Sequence, residues 1–221
     1  MYKAVIFDVG GVCVHSPLEG IRAYEKRLNL PTDYLNLAIQ SRAPNGAFQR
    51  LERGEISLIE FYPLFSEEMS DPANKDVYRR YAAARGFDAQ PIPDVTIDGK
   101  DLFRQMVEAA QRLDDVVVNA IRTLRATTSL TIAALTNNFQ SSPASSTSSS
   151  SPTLSLDPPP QLKNLFHHFI ESSLVGLRKP DPAFFLHACK VCNVKPQDCV
   201  MLDDIPENVK AARAVGMTAI S

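Results

Sequence analysis

The stretch KAVIFDVGGV, residues 3–12, decides how this chain is built. Residues 3–7 are a short apolar run rich in β-branched side chains, and Asp8-Val9-Gly10-Gly11 stops it. A run of that length, apolar on consecutive positions, predicts a strand buried on both faces, which is the habit of parallel sheets. An acid closing a buried strand costs free energy unless it caps a loop, pairs or binds a ligand. The glycines behind it let backbone come close to such a ligand.

Working outward, residues 18–30 place Leu18, Ile21, Tyr24 and Leu28 near helical spacing, and further helical signals lie at 32–41, 47–53 and 55–65. No strand pattern appears between 15 and 90, so that region reads as a small helical subdomain inserted after the first strand. Residues 101–126 carry a long amphipathic pattern that predicts two helices. LTIAALTNN, 130–138, predicts the next strand, and 169–173 a short third one. A helix with Pro182 in its first turn is expected over 182–191. CVMLDD, 199–204, predicts another buried strand ending in two acids. The helix over 206–215 should close at Gly216, and 217–220 should start a further strand. Strands alternating with helices indicate a parallel, doubly wound α/β sheet, in which ligands bind beyond the carboxyl ends of the strands. Asp8, Thr136, Asp203 and Asp204 all fall at such ends.

QSSPASSTSSSSPTLSLDPPP, 140–160, breaks the pattern. This Ser/Pro-rich segment lacks the apolar surface to order itself and is expected to be a disordered surface loop.

Composition narrows the class. Hydrophobic residues make up 44% and charged residues 22% of the 221, as in ordinary globular domains. Lys+Arg number 23 against 25 Asp+Glu, a formal net charge of −2, so no basic surplus points to nucleic acid. No stretch nears the roughly 20 apolar residues of a membrane span. The N-terminal apolar run is too short for a signal peptide and is broken by Asp8, so a cytoplasmic location is expected. Cys189 and Cys192 have C-x-x-C spacing, but no second ligand pair accompanies them, which favours packed thiols over a zinc site.

The strand ends supply chemistry. A carboxylate at Asp8 can attack an electrophilic phosphorus or carbon. The Thr136 hydroxyl and the backbone at Asn137 can hold a phosphate oxygen, or simply cap the strand. Lys179, in GLRKPDP, lies between residues stiffened by Pro180 and Pro182 and can offset charge on a nucleophile and a transferring group. Asp203 and Asp204 repel each other unless a cation binds, and Mg²⁺ favours one or two carboxylates plus substrate phosphate. Asp8 with Asp204 and a backbone carbonyl near Gly10 would make such a site.

These segments, taken together, resemble the haloacid dehalogenase-like (HAD) superfamily. VIFDVGGV (5–12), LTNN (135–138), RKPDP (178–182) and VMLDDIPENVKAARAVGM (200–217) resemble its four motifs in order. FQRLERGEISLIEFY, 48–62, is similar to the helical cap of the branch holding the N-terminal phosphatase domain of soluble epoxide hydrolase and the HAD-like domain of certain acyl-CoA dehydrogenase family proteins. The resemblance implies a Rossmann-like core from residues 1–14 and 100–221, and a helical cap from 15–99. It implies that Asp8 is nucleophile and metal ligand, and that the Gly10 carbonyl and Asp204 are further Mg²⁺ ligands with Asp203 in support. Thr136 and Asn137 would bind the phosphoryl group, Lys179 would orient Asp8, and Asn208 would hold the last motif's loop.

One departure matters. Phosphatases of this superfamily usually carry a second Asp two residues after the nucleophile, as general acid and base; here that residue is Gly10. Three readings follow. One is a Mg²⁺-dependent phosphatase of a small phosphorylated substrate, working through an aspartyl-phosphate, with His15 a candidate substitute acid. Another is a catalytically weak or inactive HAD-like domain that binds a phosphorylated ligand or a protein. The third is a dehalogenase-type hydrolase, whose halide leaves unprotonated but whose chemistry needs no metal and so leaves Asp203 and Asp204 unexplained.

Overall fold

The computed structural model describes residues 1–139 and 159–221, and the expected loop at 140–160 lies outside them apart from its last two prolines. The described chain divides into two compact units. One comprises residues 1–16, 52–55 and the described residues of 110–221; the other comprises 17–51 and 56–109.

The first unit is built on a five-stranded, all-parallel sheet, so the α/β class read from the sequence is the one observed. Its strands are β1 (Ala4–Phe7), β2 (Thr131–Thr136), β3 (His168–Glu171), β4 (Cys199–Leu202) and β5 (Thr218–Ile220), in spatial order β3-β2-β1-β4-β5. The chain builds outward from β1 to β3, then crosses back to begin again at β4. The direction of winding therefore reverses beside β1, where sheets of this kind open a crevice at their carboxyl ends.

Side-chain alternation along the strands fills two layers. Ala4 and Ile6 of β1 join Ala133, Leu135 and Met201 against Phe184 and Phe185. Those phenylalanines lie on a helix spanning Pro182–Val191. Val5 and Phe7 face the other way, with Ile132 and Ala134, against Val118 and Ile121 of the helix Asp115–Thr127. Burying each such phenylalanine contributes about 1.5–3 kcal/mol relative to leaving it in water. The third strand begins one residue earlier than expected and stops at Glu171, because residues 172–175 turn into a helix.

Helices are numbered along the chain. The second unit holds α1 (Pro17–Arg27), α2 (Tyr34–Ser41), most of α3 (Ala47–Glu52), α4 (Leu58–Ser70), α5 (Asn74–Arg85) and α6 (Gly99–Ala109). The first unit holds α7 (Asp115–Thr127), α8 (Pro160–Lys163), α9 (Ser172–Val175), α10 (Pro182–Val191) and α11 (Pro206–Ala214).

The long pattern over 101–126 is indeed two helices, broken where Asp114 caps α7 by accepting the Val116 and Val117 N–H groups. Helix α4 starts later than its periodicity implied, because Ser57 and Glu60 form a reciprocal capping box at its head. The expected boundary at residue 100 put α6 with the sheet, whereas here α6 groups with the helices. Gly20 of α1 explains this: a Cβ there would stand 2.3 Å from the Gln105 carbonyl oxygen, so the two backbones meet at a spot that only glycine allows. Phe61 stacks on Phe65 within α4 and meets Phe103 of α6 edge-on. Among the described residues, no helix is long and apolar enough to cross a membrane.

Candidate active site

Strand ends deliver the charged groups. The residue after β1 is Asp8, 5% exposed, and its N–H donates to the Leu202 carbonyl of β4 at 2.8 Å, carrying the sheet's pairing through this position. Its Oδ1 accepts the Val9 N–H at 2.6 Å and lies 2.8 Å from the Lys179 ammonium. After β4 comes Asp203, whose N–H donates to the Ile220 carbonyl of β5 at 3.1 Å. The Asp203 carboxylate is filled by donors: Lys179 Nζ at 2.7 Å, Asn208 Nδ2 at 3.0 and 3.1 Å, and the Ile205 N–H at 3.0 Å. Asp204 follows, and its buried Oδ1 has no hydrogen-bond partner. One oxygen from each of the three acids lies within 4.8 Å of the others.

Lys179 is 1% exposed, and burying an ammonium is tolerable only with paired charge. Its backbone is clamped by Asn137, which accepts the Lys179 N–H at 2.8 Å and returns its own Nδ2 hydrogen to the Lys179 carbonyl at 3.0 Å. The Lys179–Pro180 peptide is cis. Thus the Asn137 side chain holds the lysine's main chain, which leaves the phosphoryl contact expected at Asn137 to its backbone. Thr136 is buried at the end of β2 with its hydroxyl 3.4 Å from the Asn137 carbonyl oxygen, a long contact.

Three acids share this cluster with one ammonium. Burial pushes the Asp8 carboxyl up to about 7, against the pull of Lys179 and with the push of Asp203. Burial, then Asp203, raises Asp204 as well. For Lys179, burial works downward, but Asp8 and Asp203 outweigh it and leave the ammonium above its ordinary range. Asp8, Asp204 and Lys179 all hold on to protons, so the cluster is short of positive charge. An all-oxygen donor set with an unpartnered buried carboxylate oxygen fits a hard divalent cation such as Mg²⁺.

The loop after β1 is shaped for this. Gly10 bridges to Val14, and Gly11 has φ of 77°, the left-handed region that glycine enters without strain. The Cys13 thiol donates to the Asp8 carbonyl oxygen at 3.1 Å. His15 donates its N–H to the Arg112 carbonyl at 2.9 Å.

Sequence reading missed Glu52 and Arg178. Their side chains pair at 2.6 Å, largely buried, beside Lys179 in the chain. The Ser172 hydroxyl donates to the Glu52 carbonyl at 2.5 Å. Their sequence separation left no local signal. Asn138 is also structural: its N–H and side chain tie β2 to Ser172, Glu171 and Ser173. His167 Nδ1 accepts the Ile132 N–H at 2.9 Å, bracing the sheet. The four cysteines are free and buried, and Cys189 Sγ lies 3.8 Å from Cys199 Sγ. Among the described residues, the acids Asp8, Asp203 and Asp204 are the group with metal-ligand geometry, and the thiols are not part of it.

Comparison with known proteins places the chain in a family. The chain is 29% identical over 221 residues to acyl-CoA dehydrogenase family member 10 of Mus musculus, covering 99% of this chain and 18% of that protein. It is 27% identical over 219 residues to bifunctional epoxide hydrolase 2 of Rattus norvegicus, covering 99% of this chain and 36% of that protein. The chain therefore spans well under half the length of either relative. A solved structure of an HAD-family enzyme from Bacteroides thetaiotaomicron, in complex with magnesium and inorganic phosphate, shares the fold. Its TM-score is 0.56 at 16% identity, over 100% of this chain and 94% of that one. A family model described as haloacid dehalogenase-like hydrolase matches residues 2–216, and the chain belongs to that family.

Proposed function

We propose that this hydrolase is a Mg²⁺-dependent phosphatase of a small phosphorylated substrate, with Asp8 as nucleophile. The observation that carries the reading is the ion chain Asp8–Lys179–Asp203 beside Asp204, whose inner oxygen lacks a partner. The magnesium and phosphate held by the structural neighbour support it.

Asp8 and Asp204 would hold Mg²⁺ with the Gly10 carbonyl, and Asp203 would support them. Bound there, the ion would supply positive charge to the phosphoryl oxygens. The protein's own groups do the rest. Lys179 fixes the Asp8 carboxylate and offsets its charge, and Asp203 with Asn208 fixes the Lys179 ammonium. Asp8 then attacks phosphorus and forms an aspartyl-phosphate, which water hydrolyses. The Thr136 hydroxyl and the Asn137 backbone N–H are assigned to the phosphoryl oxygens, since the Asn137 amide is already engaged. The helical unit is assigned the role of a cap that selects the substrate, and the location is taken as cytoplasmic.

The test is hydrolysis of p-nitrophenyl phosphate with and without Mg²⁺, by the wild type and Asp8→Asn. Mg²⁺-dependent turnover lost in Asp8→Asn is the expected result. Gly10 favours a second reading, a binding domain with little turnover. Folded, Mg²⁺-binding protein that releases no p-nitrophenolate would select it.

A further inference from the structure

The loop after Asp8 holds no free side-chain donor for a leaving group at Gly10, Val9 or Cys13. Gly10, two residues on, has no side chain to give a proton. The Val9 N–H is spent on Asp8 Oδ1. The Cys13 thiol donates to the Asp8 carbonyl oxygen, so its hydrogen is spent on the backbone. The Lys179 ammonium is held between Asp8 and Asp203, at 2.8 and 2.7 Å. Asp203 makes four contacts with three donors, Lys179, Asn208 and the Ile205 N–H, so its oxygens are already occupied as acceptors.

Such a site can stabilise charge on a transferring phosphoryl group but cannot protonate what leaves. An alkoxide is too basic to leave unprotonated at a useful rate, whereas a carboxylate, a phosphate or an acidic phenolate departs as the anion it already prefers to be. We propose that this site acts on phosphoryl donors with a weakly basic leaving oxygen (acyl phosphates, phosphoanhydrides and acidic aryl phosphates) and spares alkyl phosphates. This specificity rests on the phosphatase reading above. In the first step an Asp8 carboxylate oxygen bonds to phosphorus as the bond to the leaving oxygen breaks. That oxygen keeps the electron pair and departs as an anion. In the second, a water oxygen bonds to phosphorus, the bond to Asp8 breaks with its electron pair returning to the carboxylate, and the water's surplus proton passes to solvent.

The backbone permits a direct test, since Gly10 is not among the glycines at positive φ and an Asp there meets no left-handed strain. The full chain with Mg²⁺ is assayed for kcat/KM on acetyl phosphate and on p-nitrophenyl, phenyl and propyl phosphate. Wild type, Gly10→Asp and His15→Gln are compared. Acetyl and p-nitrophenyl phosphate should turn over, with rates falling steeply toward propyl phosphate. Gly10→Asp should narrow the p-nitrophenyl-to-propyl ratio by roughly 10²-fold or more, the worth of a general acid. In His15→Gln the ratio should match the wild type. Comparable wild-type rates on propyl and p-nitrophenyl phosphate overturn the proposal. So does a ratio that widens in His15→Gln, which would name His15 as the acid. Should Gly10→Asp fail to fold, the wild-type series and His15→Gln decide the matter. No turnover of any donor by folded protein, acetyl phosphate included, would sink the phosphatase reading and this specificity with it, a result distinct from a shallow leaving-group dependence.

Discussion

Gly11 and Asp204 occupy adjoining space: a Cβ on Gly11 would stand 2.1 Å from Asp204 Oδ2. The loop after β1 and the loop after β4 therefore fit together only because one of them carries no side chain. Gly11→Ala must displace the Asp204 carboxylate and also strain a backbone held at φ of 77°. Displacing a ligand's support costs metal affinity by roughly 10–100-fold. Calorimetric titration with Mg²⁺ should show a loss of that size in Gly11→Ala, while circular dichroism shows the fold retained.

Lys179 is the only cation paired directly with Asp8 and Asp203 among the described residues. Removing one partner of a buried pair leaves the other charge uncompensated, at a cost of about 3–5 kcal/mol. Lys179→Met should lower the urea midpoint accordingly, and added Mg²⁺ should recover part of the loss. Lys179→Arg should not restore turnover, because a planar guanidinium cannot take the place of a compact ammonium between two carboxylates 2.7 and 2.8 Å away.

How much of this could be read from sequence follows from what each feature depends on. In a parallel sheet, carboxyl ends share one edge, so a polar residue after an apolar run already reveals its place. The ends of β1, β2 and β4 were legible for that reason, and Pro182 marked the start of α10. Helix α5 left no such mark: Tyr78 and Ala82 are its main buried side chains, too few to make a stripe. The grouping of α6 with α1 depends on the close approach at Gly20, which no periodicity records. Glu52 and Arg178 meet across 126 residues, and each alone looks like a solvated charge.

Glu25 shows the same blindness, with a consequence for pH. It lies on α1, 1% exposed, and accepts the Leu35 N–H at 2.7 Å and the Asp33 N–H at 3.0 Å. Burial outweighs those donors and pushes its carboxyl up to about 7 from 4.5. Between those values the unfolded chain gives up the proton while the folded protein keeps it, so the native state binds more protons and stability falls as pH rises. Below the window both states are protonated, and above about 7 the loss levels off. Thermal unfolding from pH 4.5 to 8 should show this decline in the wild type and a flatter profile in Glu25→Gln.

Asn137 anchors Lys179 through its main chain, so Asn137→Ala should loosen the 178–180 segment without removing any charge from the cluster. Turnover should drop more than Mg²⁺ affinity does, since the acids that would hold the ion are untouched. Parallel measurement of kcat and of Mg²⁺ binding separates the two; an equal fall in both would assign Asn137 to the metal site instead.

Asp8 as nucleophile is tested most directly by acid-quenching the protein during turnover of acetyl phosphate with Mg²⁺, then mapping phosphorylation by mass spectrometry. One phosphoryl group on the peptide containing Asp8, absent in Asp8→Asn, is the expected result. Phosphate release with Asp8 unmodified throughout, or a phosphoryl group carried by another residue, would contradict it.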